Sequence, residues 1–185
     1  EQCDQLCVMC SQPPKKHHTD LFALFKQAAL LAPADMTIGI TGGEPTLYKG
    51  ELFDLLSECL AARPDLSFHV LTNAQHFDEH DTSELAALPA GKVAWGIPLY
   101  ADDPARHDEI VGKQGAFERL MRSFAVLGRA GASIELRTVA MTRNVDVLPS
   151  LARFISVHVP FVAVWAIMQL ENIGYGRKNW DQLFY

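Results

Sequence analysis

The sequence predicts an α/β fold in which repeated βα units build a parallel sheet, and three observations carry that prediction. First, five short runs at residues 36–41, 67–72, 92–99, 133–141 and 161–168 are near-continuously apolar, as parallel strands covered on both faces should be. Second, five longer segments at residues 19–31, 50–62, 80–88, 116–130 and 145–158 repeat apolar residues at three- and four-residue steps, the spacing of amphipathic helices. Third, neither a low-complexity linker nor a fixed-period repeat divides the chain. At 185 residues and 49% apolar content it can bury one substantial core, so a single domain over residues 1–185 is expected.

The segment at residues 50–62 shows the helical pattern best. Leu52, Phe53, Leu55, Leu56, Cys59 and Leu60 share one broad face, and Arg63-Pro64 ends it because proline disfavours helical geometry in the residue before it. Cys59 on that face reads as inert packing. Repeated βα units form either an open sheet or a full or partial barrel, and periodicity does not choose between them. Both architectures put chemistry at strand C-terminal ends. Attention therefore falls on the segments after Thr41, Thr72, Leu99, Met141 and Met168, which should converge on one mouth.

Lys and Arg number 16 against 22 Asp and Glu, a net charge of -6, so there is no basic footprint and no nucleic-acid partner is expected. No run of about 18 apolar residues and no secretory signal pattern is present, which leads to the expectation of a soluble, cytoplasmic protein with no membrane span. The chain opens at Glu1 directly against a cysteine cluster, and a strand upstream of residue 1 is expected to be missing or disordered.

Cys3, Cys7 and Cys10 stand at spacings of four and three, too close to frame a disulfide-stapled fold. They offer three soft thiolates from one loop, which suits one face of a cubane iron–sulfur cluster and leaves one iron open to a ligand. The same spacing fits a structural zinc with His17 or His18 as fourth ligand, although the adjacent Lys15 and Lys16 also fit a solvated surface turn. A second signal is Thr41-Gly42-Gly43-Glu44-Pro45 at the end of an apolar run. The glycines let backbone approach a ligand closely, and Glu44 offers a carboxylate to an ammonium group; a tight βα turn with an acid near the next helix is the plain alternative.

Taken together, the C-x3-C-x2-C cysteines and Gly-Gly-Glu-Pro one βα unit later resemble the radical S-adenosylmethionine superfamily. The resemblance implies a partial (βα)6 barrel whose first strand precedes the cysteine loop, so the five strands here would be the second to sixth. It implies a [4Fe–4S] cluster on Cys3, Cys7 and Cys10, and S-adenosylmethionine chelating the unique iron, with Gly42, Gly43, Glu44 and Pro45 against its methionyl ammonium. Thr72-Asn73 is similar to a Thr-Asn pair of many members, placing Thr72 near the cofactor's methionine part; turn chemistry is the alternative for Asn73.

Three departures follow. Met9 stands where members commonly have an aromatic residue near adenine. Pro98-Leu99-Tyr100 replaces a Ser-Leu-Asp segment, so the hydroxyl expected to meet the ribose is absent. Arg137, within an apolar strand, is expected either to bind a cofactor or substrate carboxylate bidentately or to form a structural ion pair, with Glu135 excluded as its partner. Met168 would lie against adenine or serve as plain core.

At finer resolution, Cys10-Ser11-Gln12-Pro13-Pro14-Lys15, Thr41 to Leu47, the Ile97 to Tyr100 strand end, His107 and Gly115-Ala116-Phe117 resemble the maturases of the His-Xaa-Ser system. That resemblance implies reductive cleavage of S-adenosylmethionine, hydrogen abstraction from a ribosomally made His-Xaa-Ser-rich peptide, and a reductant protein such as a flavodoxin or ferredoxin. Asp102, Asp103, Asp108 and Glu109 read as an acidic loop, either solvated or facing a basic or histidine-rich peptide. Two alternatives to the enzyme stay open: a non-catalytic peptide- or partner-binding barrel, and a zinc-stabilised structural domain. No single catalytic residue is indicated.

Overall fold

The apolar runs do pair as one parallel sheet, in simple chain order. In the computed structural model, which describes residues 2–14 and 21–185, the strands are β1 (Thr37–Ile40), β2 (Ser67–Leu71), β3 (Val93–Pro98), β4 (Ser133–Ala140) and β5 (Val164–Gln169). Each pairs only with its sequence neighbours, giving an unclosed five-stranded sheet among the described residues. Parallel neighbours need crossovers. These carry α2 (Lys49–Ala62), α3 (Thr82–Ala87), α4 (Pro104–Val111), α5 (Ala116–Arg129) and α6 (Leu148–His158), while α1 (Phe22–Leu30) precedes β1 and the short α7 (Gly174–Lys178) and α8 (Trp180–Leu183) follow β5. Residues 15–20, with Lys15, Lys16, His17 and His18 and the start of the helix expected from residue 19, lie outside the described residues.

The core sits between the helices and one face of the sheet. Leu52, Leu56, Cys59 and Leu60 of α2 meet Phe68 and Val70 of β2, Trp95 and Ile97 of β3, and Leu120, Phe124 and Leu127 of α5 in one buried cluster. Trp95 is its centre, with Phe77 and Phe53 edge-on at 5.2 and 6.4 Å.

The other sheet face departs from expectation. Strands buried on both faces were expected, but β2 and β4 alternate strictly between buried and half-buried residues. The half-buried positions include His69, Glu135 and Arg137, so the concave face is a polar wall and only the convex face is core. Glu135, excluded above as a partner of Arg137, in fact pairs with it at 2.5 Å. Residues two apart on a strand share a face, and both side chains are long enough to bridge that step.

A second correction concerns residues 102–111, read as an acidic loop. They contain α4, capped by Asp103, whose carboxylate accepts from Arg106 N at 2.8 Å, with Pro104 in the first turn and Gly112 (φ 64°) ending it. Asp108 accepts from the backbone N–H groups of Gly115 and Phe117 at the start of α5, and Glu109 pairs with Arg143 at 2.7 Å. Three of the four acids thus have structural partners.

Candidate cofactor site

At the C-terminal ends of the strands a cavity of about 310 Å³ opens. Its wall comes from the cysteine loop, from Thr41 to Glu44 after β1, from Thr72 and Asn73 after β2, from Tyr100 after β3, from Arg137 and Val139 on β4, and from Met168 to Glu171 at the end of β5. Four of the five strand-end segments expected to converge do so. The exception is the segment after Met141: that side chain is fully buried in a small apolar cluster with Met9, Tyr100, Ile110, Val111, Leu170 and Leu183, and β4 reaches the cavity earlier in the strand.

The cysteine loop has no secondary structure of its own and is held from both sides. Leu6 and Val8 donate backbone hydrogen bonds to Val111 and Ile110 at the end of α4, both at 3.0 Å. Tyr175 N donates to Cys10 O and Asn179 Nδ2 to Val8 O, each at 2.8 Å, from the α7 side. Gly112 and Gly174 (φ 55°) make these approaches possible: a Cβ there would fall 2.7 Å from Leu6 O and 2.3 Å from Cys10 O. Met9 packs in the cluster beneath the cavity as an apolar side chain.

Cys3, Cys7 and Cys10 all line the cavity as free thiols. Among the described residues no three His, Cys, Asp or Glu side chains converge on one ion position. Ligands of a cubane need no such convergence, because each bonds a different iron. Burial pushes the Cys3 and Cys10 thiols up; Cys7, desolvated in the loop and facing the other two sulfurs, is pushed up to about 12. Such thiols ionise when a metal takes the proton's place. The donor set therefore fits a cluster held by three thiolates.

Beside them, Gly42 and Gly43 take the positive φ values expected of them, 96° and 59°. They turn the chain so that Glu44, only 3% exposed, faces inward. Its Oε1 accepts from Thr46 N at 2.9 Å, Thr46 Oγ1 at 2.6 Å and Thr72 Oγ1 at 2.5 Å, and its Oε2 accepts from Asn73 N at 2.6 Å. Burial still raises the carboxyl above its ordinary value despite these bonds. A buried carboxylate with no cation among its partners in the described residues is a place for an ammonium group.

The Thr-Asn pair serves both halves of the site. Thr72 orients Glu44, while Asn73 Nδ2 donates to Asp4 Oδ1 at 2.7 Å and lies 3.9 Å from Cys3 Sγ. The turn chemistry is also real, since Asn73 Oδ1 accepts from Gln75 N at 3.0 Å. Asp4, not singled out in the sequence, joins the cysteine loop to the segments that follow β2 and α4. Burial opposes its charge, but His76, Lys113 and Asn73 outweigh that and hold its carboxyl well below the usual carboxylate range. Arg137 spends one guanidinium donor on Glu135 and directs Nη2 to Met168 Sδ at 3.1 Å, a weak acceptor. Most of its five N–H groups stay available to the cavity.

Comparison with known proteins bears on the fold and the family. No curated protein matches the sequence. Among solved structures, Streptococcus suis SuiB superposes with a TM-score of 0.73 at 19% identity over 94% of this chain, and SuiB bound to S-adenosylmethionine gives 0.71 at 19% over 94%. Native anSMEcpe with bound AdoMet and Kp18Cys peptide gives 0.72 at 16% over 91%. This chain spans 39–40% of the SuiB chains and 48% of anSMEcpe, and at such identities the likeness establishes the fold, a partial barrel. The sequence profile of the Radical SAM superfamily matches residues 1–155. With that match over most of its length, the chain belongs to the radical SAM superfamily, enzymes whose cofactors are a [4Fe–4S] cluster and S-adenosylmethionine.

Proposed function

We propose that this chain is the catalytic barrel of a radical SAM enzyme that modifies a ribosomally made peptide, one rich in His-Xaa-Ser repeats. The observation that carries the reading is the meeting of Cys3, Cys7, Cys10 and Glu44 in one cavity at the strand ends. In it the three cysteines hold three irons, and the backbone of Gly42, Gly43 and Pro45 with the Glu44 carboxylate receives the methionyl ammonium. Thr72 and Asn73 fix that carboxylate; Arg137 takes the cofactor's carboxylate through its free N–H groups; Met168 meets the adenine with apolar surface. When bound, cluster and S-adenosylmethionine together supply one-electron cleavage of a carbon–sulfur bond and removal of hydrogen from the substrate. The protein's part is to hold the sulfonium in place and keep water and oxygen out.

A peptide substrate is supported by the company this fold keeps: SuiB has been solved with the precursor peptide SuiA, and anSMEcpe with peptides. We further place the enzyme in the cytoplasm as a single domain over residues 1–185, reduced by a flavodoxin or ferredoxin and needing neither membrane nor nucleic acid. Among the described residues no helix is long and apolar enough to cross a membrane.

After anaerobic reconstitution the chain should carry about four irons and four sulfides and form 5′-deoxyadenosine from S-adenosylmethionine and dithionite. Glu44→Gln, which keeps the side chain's shape but gives up its charge, should weaken S-adenosylmethionine binding about tenfold to a hundredfold, in line with a charged hydrogen bond of about 1.5–3 kcal/mol. Stoichiometric zinc in place of iron, or no 5′-deoxyadenosine from a fully loaded sample, would overturn the reading.

A further inference from the structure

Two polar side chains in the cavity wall are spent on none of the roles above. Gln5 and Tyr100 are 3% and 7% exposed, yet both line the cavity with the cysteines. Among the described residues the Gln5 Nε2 and the Tyr100 hydroxyl make no hydrogen bond to the protein; the fully buried side-chain atoms without a hydrogen bond are His69 Nε2 and His76 Nε2, so these two donors instead reach open space in the cavity they line. Neither is free to swing toward solvent. Tyr100 N donates to Nδ1 of the buried His107 at 3.3 Å, the two rings lie 5.8 Å apart and 31° from parallel, and the tyrosine packs with Met9 and Cys7. Gln5 follows the loop so that its Oε1 accepts from Cys7 Sγ at 3.6 Å.

That last contact is possible only for a thiol. Iron binds the thiolate, which accepts hydrogen bonds and cannot donate one. Once Cys7 is a ligand, the Gln5 amide must present its NH₂ end instead, and the two ends of an amide occupy the same shape. Tyr100 packs with Cys7 and shares the cavity wall with Cys7 and Cys10, so its phenol stands among the sulfurs. Asn73, with Nδ2 at 3.9 Å from Cys3 Sγ, already shows a donor of this kind on another of the three sulfurs.

We infer that Gln5 and Tyr100 are tuning residues that donate hydrogen bonds to the cluster's sulfur atoms around Cys7 and raise its reduction potential. The inference rests on the assignment of the three cysteines proposed above. The physics is charge: reduction adds an electron that spreads onto the sulfurs, so donors to sulfur stabilise the reduced state more than the oxidised one. A neutral donor also shields the metal without adding charge of its own.

The test is a redox titration of the reconstituted chain followed by electron paramagnetic resonance, comparing wild type, Tyr100→Phe, Gln5→Leu and Gln5→Glu. Each of the first two variants should move the midpoint to more negative potential, lowering the equilibrium constant for reduction about threefold to tenfold, tenfold being about 59 mV for one electron. Gln5→Glu, which replaces the donor by a negative acceptor, should move it further in the same direction. Iron and sulfide counts and melting curves on the same samples show that the folded, loaded protein is what is being titrated. Potentials unchanged in Tyr100→Phe and both Gln5 variants at full iron content overturn the inference alone. Weakened S-adenosylmethionine binding in Tyr100→Phe with an unmoved potential also overturns it, giving the phenol to the cofactor. A wild-type chain that takes up no cluster fails the ligand assignment itself, and the inference with it.

Discussion

Glu44 shows how single residues in this site are made to carry charge away from water. Four donors from Thr46, Thr72 and Asn73 fill both its oxygens, and burial nevertheless keeps its carboxyl raised. Its partners hold it in place and, among the described residues, none of them is a cation, which is how a carboxylate preorganised for a cationic ligand would stand. His107 is the opposite case, a buried group kept neutral. Burial lowers its pKa to about 4, so its Nδ1 is free to accept from Tyr100 N. Between about pH 6.5 and that value the unfolded chain binds a proton that the folded one refuses. Stability is therefore complete above pH 6.5 and falls as pH drops toward 4, by up to about 3 kcal/mol from this residue. Denaturant titrations across that range should show a shallower pH slope for His107→Gln than for wild type; equal slopes would mean that His107 is not held neutral.

At the scale of elements, the cysteine loop depends on the ends of two helices far away in sequence. Gly112 closes α4 in the left-handed conformation and Gly174 begins α7 in the same one, and both turn bare backbone toward the loop. Gly112→Ala or Gly174→Ala would combine strain at positive φ with a Cβ driven into Leu6 O or Cys10 O. Each should lower stability by about 1–3 kcal/mol, and each should reduce iron retained per chain after gel filtration; full retention would show that the loop does not rely on this cradle. The helix that Gly112 closes was hidden in the sequence for a physical reason. Residues 104–109 are mostly polar, so hydrophobic periodicity had nothing to count until His107, Ile110 and Val111 turned inward. The signals that could have found it were local: Asp103 before Pro104 as cap and first turn, and Gly112 as the stop. The short α7 and α8 were not expected either, whereas the five helices that were show apolar faces at three- and four-residue steps.

For the whole molecule, the division of labour is between the two faces of one sheet. The convex face is core, and Trp95 with its edge-on partners Phe53 and Phe77 stands at its centre, 1% exposed. Trp95→Ala should cost about 3–5 kcal/mol, read as a lower midpoint in denaturant unfolding, whereas Ile167→Ser on the half-exposed edge strand β5 should be nearly neutral. A loss of similar size at both positions would contradict this picture of where the core lies. The concave face holds His69, Glu135 and Arg137 instead, since a sheet that curves without closing leaves its inside only partly dry. Strand patterning alone could not reveal this. With one ionisable residue in β2, His69, and two in β4, Glu135 and Arg137, spaced among apolar neighbours, both strands read as buried on both sides.

What the sequence by itself determined is therefore what depends on local physics. Alternating apolar runs and helical stripes dictated a parallel α/β unit; three thiols at short spacing marked a candidate metal loop; two glycines before an acid dictated a turn at positive φ. Only the tertiary structure decided which distant groups meet. It set Asp4 against Asn73, His76 and Lys113, paired Glu135 with Arg137, seated the cysteine loop between Gly112 and Gly174, and brought Gln5 and Tyr100 into the cavity wall with the three cysteines. These contacts join residues from separate strands and helices, and their hydrogen-bonding geometry exists only once the sheet has brought the strand ends to one mouth.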